Sequence, residues 1–158
     1  KADIIVFATG FDAMTGSLLK LGIVGRKNLT LAEAWQNGPR TFLGLSTNGF
    51  PNLFMITGPG SPSVLTNMPR AIEQHVEWIT NCMNHCDEVG AMTIEAENTA
   101  MLNWTDHVTA VANQTLLSKA NHSWYFGGNI PGKPRTFMPY SAGLDKFRSN
   151  CEQIAKSG

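Results

Sequence analysis

The sequence predicts an α/β chain, and three stretches carry that expectation. Residues 3–8 (DIIVFA) form a continuous apolar, β-branched run, the pattern of a parallel strand buried on both faces. Residues 53–56 (LFMI) form a second apolar run with the length of a buried strand. From residue 69 to about residue 84 the pattern changes to helical, with Ile72, Val76, Ile79 and Met83 at spacings of four, three and four. Between that second run and the helix lies the stretch that organises the chain, residues 58–68 (GPGSPSVLTNM). Its first five residues hold two glycines and two prolines, which force a tight and irregular turn. Thr66 or Asn67 is placed to cap the helix, and Pro69 suits its first turn because proline has no N–H to leave unpaired. A strand, a glycine-bearing turn and a capped helix start set backbone N–H groups toward a polar or anionic ligand. An ordinary strand-to-helix connection has the same local pattern, so the stretch alone does not choose between them.

Each further element follows from its own residues. Residues 8–12 (ATGFD) end the first strand, with Gly10 allowing a sharp turn. Residues 28–31 read as a short strand or a helix entry, since Thr30 can cap residues 31–36, and Gly38-Pro39 stops that helix. Residues 41–45 read as a strand, followed by a loop marked by Asn48-Gly49 and Pro51-Asn52. His75 and His85 are expected on solvated or half-buried helix faces. Residues 95–117 carry Met101, Trp104, Val108 and Val111 at helical spacing, a packing stripe with Trp104 in the core. Residues 119–140 lose all periodicity but hold Trp124, Tyr125, Phe126, Lys133 and Arg135. Aromatics and cations in so long a loop suit a nucleotide held by stacking and charge, or a surface loop pinned by its aromatics. Leu144, Phe147, Cys151 and Ile154 mark a last amphipathic helix.

Composition narrows the function. Twelve basic residues balance twelve acidic ones, so nothing points to nucleic acid or an acidic partner. No apolar run approaches the roughly 18 residues of a membrane span, and no secretory signal opens the sequence. The three cysteines form an odd set. Cys82, His85 and Cys86 lack the C-x-x-C knuckle of a zinc site, so no metal is expected and a reducing, cytosolic setting fits.

Five motifs carry a resemblance. They are residues 3–12 (DIIVFATGFD), 44–52 (GLSTNGFPN), 58–68, 73–78 (EQHVEW) and 123–135 (SWYFGGNIPGKPR). In this order and spacing the chain resembles the C-terminal part of the Baeyer–Villiger monooxygenases, class B flavoproteins, and is most similar to the phenylacetone and steroid monooxygenase branch. Gly128 and Ala142 depart from the usual motif residues only by small-for-small changes. The resemblance implies part of a flavoprotein with two Rossmann-like domains and a helical, loop-rich C-terminal region. It implies FAD, NADPH and O2, a small-molecule ketone as substrate, and an ester or lactone as product. Residues 1–12 would be the returning strand and linker from NADP domain to FAD domain, with Thr9, Gly10 and Asp12 in the link. Residues 13–86 would belong to the FAD domain, and residues 87–158 to the helical region. Pro62, Ser63, Val64, Leu65 and Met68 would line the substrate pocket, and Gly58, Asn67 and Met68 would lie at FAD. Trp124 would close over the NADP ribose, with Asn129 and Lys133 in the same loop. The family's glycine-rich phosphate loops and active-site arginine would lie upstream of Lys1. The chain is thus expected to be a fragment, inactive alone, whose partner is the missing N-terminal part. The alternatives are a fragment of an N-hydroxylating or flavin-containing monooxygenase, and a non-catalytic module that binds a nucleotide or a partner.

Overall fold

Helices joined by short 3-10 turns and long irregular segments build the scaffold. They are α1 (Gly16–Lys20), α2 (Leu31–Ala34), α3 (Met68–Glu88), α4 (Asn98–Asn113) and α5 (Leu144–Ser157). The structure is a computed structural model that describes residues 1–8, 10–120 and 123–157, so the expectation for Thr9 lies outside the described residues. Local chemistry sets the helix starts. At α2 the Thr30 hydroxyl accepts the Glu33 N–H at 3.2 Å, and the Glu33 carboxylate accepts the Thr30 N–H at 2.8 Å. That reciprocal pair satisfies two donors the helix leaves open. At α3 the Asn67 side chain accepts the Arg70 N–H at 3.2 Å, and Pro69 sits in the first turn.

The predicted strands do not form a sheet. Among the described residues the only β-type pairings are the isolated bridges Val24–Thr30 and Phe42–Ser46. Residues 3–8 run exposed, with Ile4 and Phe7 more than four-fifths accessible, because no neighbouring strand supplies backbone partners. Residues 41–45 turn back on themselves, since Leu43 and Gly44 both take positive φ (58° and 70°). Residues 53–57 give one backbone bond to that turn, from Met55 N–H to Leu45 carbonyl at 2.8 Å, and end at Thr57 with φ 55°. Taken by itself the chain is mostly helical, so its described residues do not confirm an α/β arrangement.

Two apolar clusters form the core. The larger joins Leu43 and Leu45 to Trp104 and Val108 of α4, Tyr140, and Phe147 and Cys151 of α5. Trp104 and Tyr140 stack with centroids 5.2 Å apart, and Phe147 meets Trp104 edge-on at 5.9 Å. The smaller joins Leu31 and Trp35 to Phe50 and Met55. The α4 stripe is largely as its spacing predicts, with Met101, Trp104 and Val108 buried. The α3 stripe is not. Ile72, Val76 and Met83 are exposed, and the buried face is Ala71, Gln74, His75 and Ile79. The α5 and Tyr140 side of the molecule lies against that second face, where the Trp78 indole N–H donates to the Cys151 carbonyl at 3.4 Å.

Residues 58–63 are irregular backbone, yet every one is buried. Their carbonyls must therefore find donors within the protein. Gly58 carbonyl accepts from Ser61 N–H and hydroxyl (3.1 and 2.8 Å), Pro59 carbonyl from the Thr41 hydroxyl (2.5 Å), and Gly60 carbonyl from the Trp104 indole N–H (3.1 Å). Ser61 carbonyl accepts the Tyr140 N–H at 2.7 Å, while Gly60 N–H donates to Met138 carbonyl at 2.6 Å. Gly44 and Gly58 face each other so closely that a Cβ on Gly44 would stand 2.3 Å from Ser61 N, and one on Gly58 2.5 Å from Gly44 carbonyl oxygen. Only glycine fits such an approach.

The entry to this segment is held by a histidine. His75 is fully buried, contrary to its expected half-solvated face, and its Nδ1 accepts the Thr57 N–H at 3.2 Å. The ring also meets Phe147 edge-on at 5.5 Å. Accepting at Nδ1 puts the proton of the neutral ring on Nε2. Burial lowers its pKa from 6.5 to about 4. His85, in contrast, is exposed as expected.

Two outcomes follow from these bonds. Trp104→Phe keeps an aromatic body but strands the Gly60 carbonyl, and should lower unfolding stability by about 1–3 kcal/mol; an unchanged urea midpoint would remove that bond from the account. For His75 the folded pKa lies below the unfolded one, so protonation favours unfolding. Its contribution is complete above about pH 6.5 and is lost as pH falls toward 4, by about 3 kcal/mol in all. Urea titrations across that window should show a shallower pH slope for His75→Asn than for the parent chain, and equal slopes would contradict the buried neutral ring.

Candidate functional site

One extended segment, residues 136–140, ties together the stretches singled out by sequence. On one side Met138 carbonyl accepts from Gly60, and Tyr140 N–H donates to Ser61. On the other, Met138 N–H donates to the Tyr125 carbonyl at 2.9 Å and Thr136 N–H to the Phe126 carbonyl at 3.3 Å. The buried turn 58–63 and the aromatic turn Trp124–Phe126 therefore share a common support. Tyr140 anchors that support. Its ring is wholly buried, and its hydroxyl lies 3.3 Å from both His107 Nε2 and Asn150 Nδ2.

The chain emerges from the buried turn through Pro62 and Ser63 into a 3-10 turn, Ser63–Leu65, and then α3. Pro62 and Ser63 are buried, Val64 is exposed, and Leu65 and Met68 are half-buried. Ser63 takes a positive φ of 44°, and its hydroxyl accepts the Val64 N–H at 2.6 Å. Its neighbour on the inner side is Met14 Sδ, 3.9 Å from the hydroxyl. The result is an apolar lip of Val64, Leu65 and Met68 at the positive end of a 21-residue helix. Within that first turn Pro69 has no N–H and Arg70 N–H is capped, which leaves the Met68 N–H for an acceptor outside the helix. Gly58 lies deeper, beneath the lip, and Asn67 stands exposed as the cap.

Trp124 is half-buried and packs edge-on to Tyr125, with centroids 4.5 Å apart. Asn129 and Lys133 turn away from open solvent onto the linker. Asn129 Nδ2 donates to the Phe11 carbonyl at 2.9 Å. Lys133 Nζ is ion-paired with Asp12 and donates to the Thr15 hydroxyl at 2.5 Å. The structure thus brings Gly10 and Asp12 together with Asn129 and Lys133, which the sequence treats as separate groups. It also adds residues that sequence patterns did not single out: Thr41, Tyr140 and Thr15. Each acts through hydrogen bonds to residues distant in sequence, and no spacing rule signals such a bond.

Neither Cys82 nor Cys151 is poised as a nucleophile. Burial pushes the Cys82 thiol up to about 11 and the Cys151 thiol up to about 12. The described residues hold no group of three or more His, Cys, Asp or Glu side chains that could bind a metal ion. None of their helices is long and apolar enough to cross a membrane.

No family model matches the chain. Among curated proteins it is similar to a cyclohexanone 1,2-monooxygenase of Acinetobacter sp., 40% identical over 161 residues, covering 100% of this chain and 29% of the relative. It is also similar to a Baeyer-Villiger monooxygenase of Pseudooceanicola batsensis, 40% identical over 158 residues, covering 100% of this chain and 28% of the relative. Among solved structures, oxidized steroid monooxygenase bound to NADP matches with a TM-score of 0.85 and 48% identity, over 94% of this chain and 27% of that one. OTEMO in complex with FAD and NADP matches with a TM-score of 0.88 and 35% identity, over 99% of this chain and 28% of that one. The chain therefore spans less than a third of the length of the relatives it matches. Over its whole length the chain is homologous, in sequence and in fold, to Baeyer–Villiger monooxygenases, and it corresponds to a small part of each of them.

Proposed function

We propose that this chain is the C-terminal part of an NADPH- and FAD-dependent monooxygenase that inserts one oxygen atom of O2 beside the carbonyl of a small ketone, giving an ester or lactone. The observation that carries the reading is the end-to-end match to relatives whose names state that reaction class. The site's own features support it. The apolar lip of Val64, Leu65 and Met68 suits a flat aromatic ring and an uncharged ketone. The open Met68 N–H and the positive end of α3 suit an acceptor that gains negative charge.

FAD, when bound, would supply the two-electron chemistry that takes hydride from NADPH and activates oxygen. The chain's own residues would do the rest. Met68 and Asn67 would present the helix end to the flavin, with Gly58 allowing close backbone approach. Pro62, Ser63, Val64 and Leu65 would shape the ketone pocket, while the buried turn behind them keeps water from the reacting centre. Trp124 would cover the NADP ribose. Residues 1–12 would pass between the NADP and FAD domains, residues 13–86 would complete the FAD domain, and residues 87–158 would form the helical region. The exposed Ile4, Ile5, Val6 and Phe7 fit this division, since a strand in a two-Rossmann-domain protein would bury them. Such a protein works in the cytosol, where NADPH is supplied.

The test is the intact gene product that contains this chain. It should retain yellow flavin on purification and consume NADPH only when a ketone is added, with ester formed in equal amount. NADPH use that yields an N-oxide or N-hydroxylated amine and no ester would overturn the reading. Within that protein, Met68→Gly should change relative rates between small and bulky ketones several-fold while flavin content stays at the parent level. Trp124→Ala should raise NADPH consumption without product. Parent-level coupling and NADPH affinity in that variant would remove Trp124 from the nucleotide site.

A further inference from the structure

We propose that Lys133 and Asp12 form a latch that sets the order of loop 123–135 and the position of linker 10–15 together. The contacts span 121 residues of sequence and converge on one ammonium group. Lys133 Nζ binds the Asp12 carboxylate and the Thr15 hydroxyl, and that hydroxyl also donates to Asp12 at 3.3 Å. The Lys133 side chain is only 11% accessible and the Asp12 side chain 28%, so solvent screens the pair weakly. Asn129 adds a second tie to the carbonyl of Phe11.

Three glycines make room for this arrangement. A Cβ on Gly127 would stand 2.9 Å from Lys133 Cδ, and one on Gly16 would stand 2.7 Å from Asp12 Cβ. Gly10 takes φ +78° and leaves only contact distance, 3.4 Å, to Asn129 Nδ2. The lysine stem therefore lies in a slot that the loop itself provides. Separating the two segments would part the Lys133 ammonium from the Asp12 carboxylate and from the Thr15 hydroxyl, which favours joint closing over partial opening. Loop and linker then behave as one two-state element. In the flavoprotein proposed above, on which this last consequence rests, covering the nucleotide would require the linker in its latched pose, so nucleotide cover and domain placement would be linked.

The latch itself is tested on the full chain, without flavin or nucleotide, by residue-resolved amide exchange. The reporters are Gly127, Gly128, Thr136 and Met138 in the loop, and Gly16 and Leu19 after the linker, all of which donate backbone hydrogen bonds. Asp12→Asn should speed the loop amides by about tenfold or more, and Lys133→Met should do so at both places, while α4 amides keep parent rates. The double variant should be no faster than the faster single, the sign of one shared interaction. Parent rates in either single variant, or effects that multiply in the double, would overturn the latch. If a charge change also releases the α4 amides, Thr15→Val decides alone: faster loop exchange supports the latch, and parent rates overturn it. Since no cofactor takes part, failure here leaves the monooxygenase reading standing, and the converse holds too.

Discussion

The structure depends on the pairing of one buried, irregular stretch of backbone. Residues 58–63 run through the interior without α-helix or sheet to satisfy them. Burying a peptide group without a partner costs about 1–3 kcal/mol, so a handful of orphans would cancel the stability of a domain this size. The chain avoids that cost with partners from separate places: an indole on α4, the Thr41 hydroxyl at the start of the 41–45 turn, and the Met138 carbonyl and Tyr140 N–H. Two of these partners, Trp104 and Tyr140, sit in the larger apolar cluster. Hydrophobic packing and polar satisfaction therefore reinforce each other at Trp104 and Tyr140.

The candidate site inherits its rigidity from that arrangement. The lip of Val64, Leu65 and Met68 is accessible, but it is continuous with a buried turn on one side and a capped helix on the other. His75 closes the entry to the turn, and it can do so only while its ring is neutral. The aromatic turn at Trp124 hangs on the far side of the same 136–140 segment. Beyond it the loop reaches the linker through Asn129 and Lys133. A rigid centre with a tied, outlying loop suits a protein that must hold one ligand firmly and cover another.

What the sequence showed and what it hid divide along physical lines. Helix starts were legible, because Thr30, Asn67 and Pro69 act on neighbours within one turn. So was the α4 stripe, where large side chains leave one way to pack. The α3 face was not, because its buried side carries Gln74 and His75 while Ile72 and Val76 stay outside. Apolar periodicity cannot rank a buried histidine above an isoleucine. The strands at 3–8, 41–45 and 53–57 were overcalled for a related reason. Their composition suits burial, but a ladder needs a partner, and two of the runs bend at positive φ (Leu43, Thr57). In the site, residues 58–68 and the 123–135 motif stood out through their unusual residues. Thr41, Thr15 and Tyr140 did not, since long-range hydrogen bonds leave no trace in spacing.

The central claim is that residues 58–63 are held as firmly as a helix core although they lack regular structure. Amide exchange of Gly60, Ser61 and Tyr140, measured beside the amides of α4, tests it directly. The account predicts that these amides exchange as slowly as the buried turns of α4, opening only when the whole chain unfolds. Fast exchange at Gly60 and Tyr140, with α4 still protected, would show that the turn opens by itself and that the site does not take its rigidity from it.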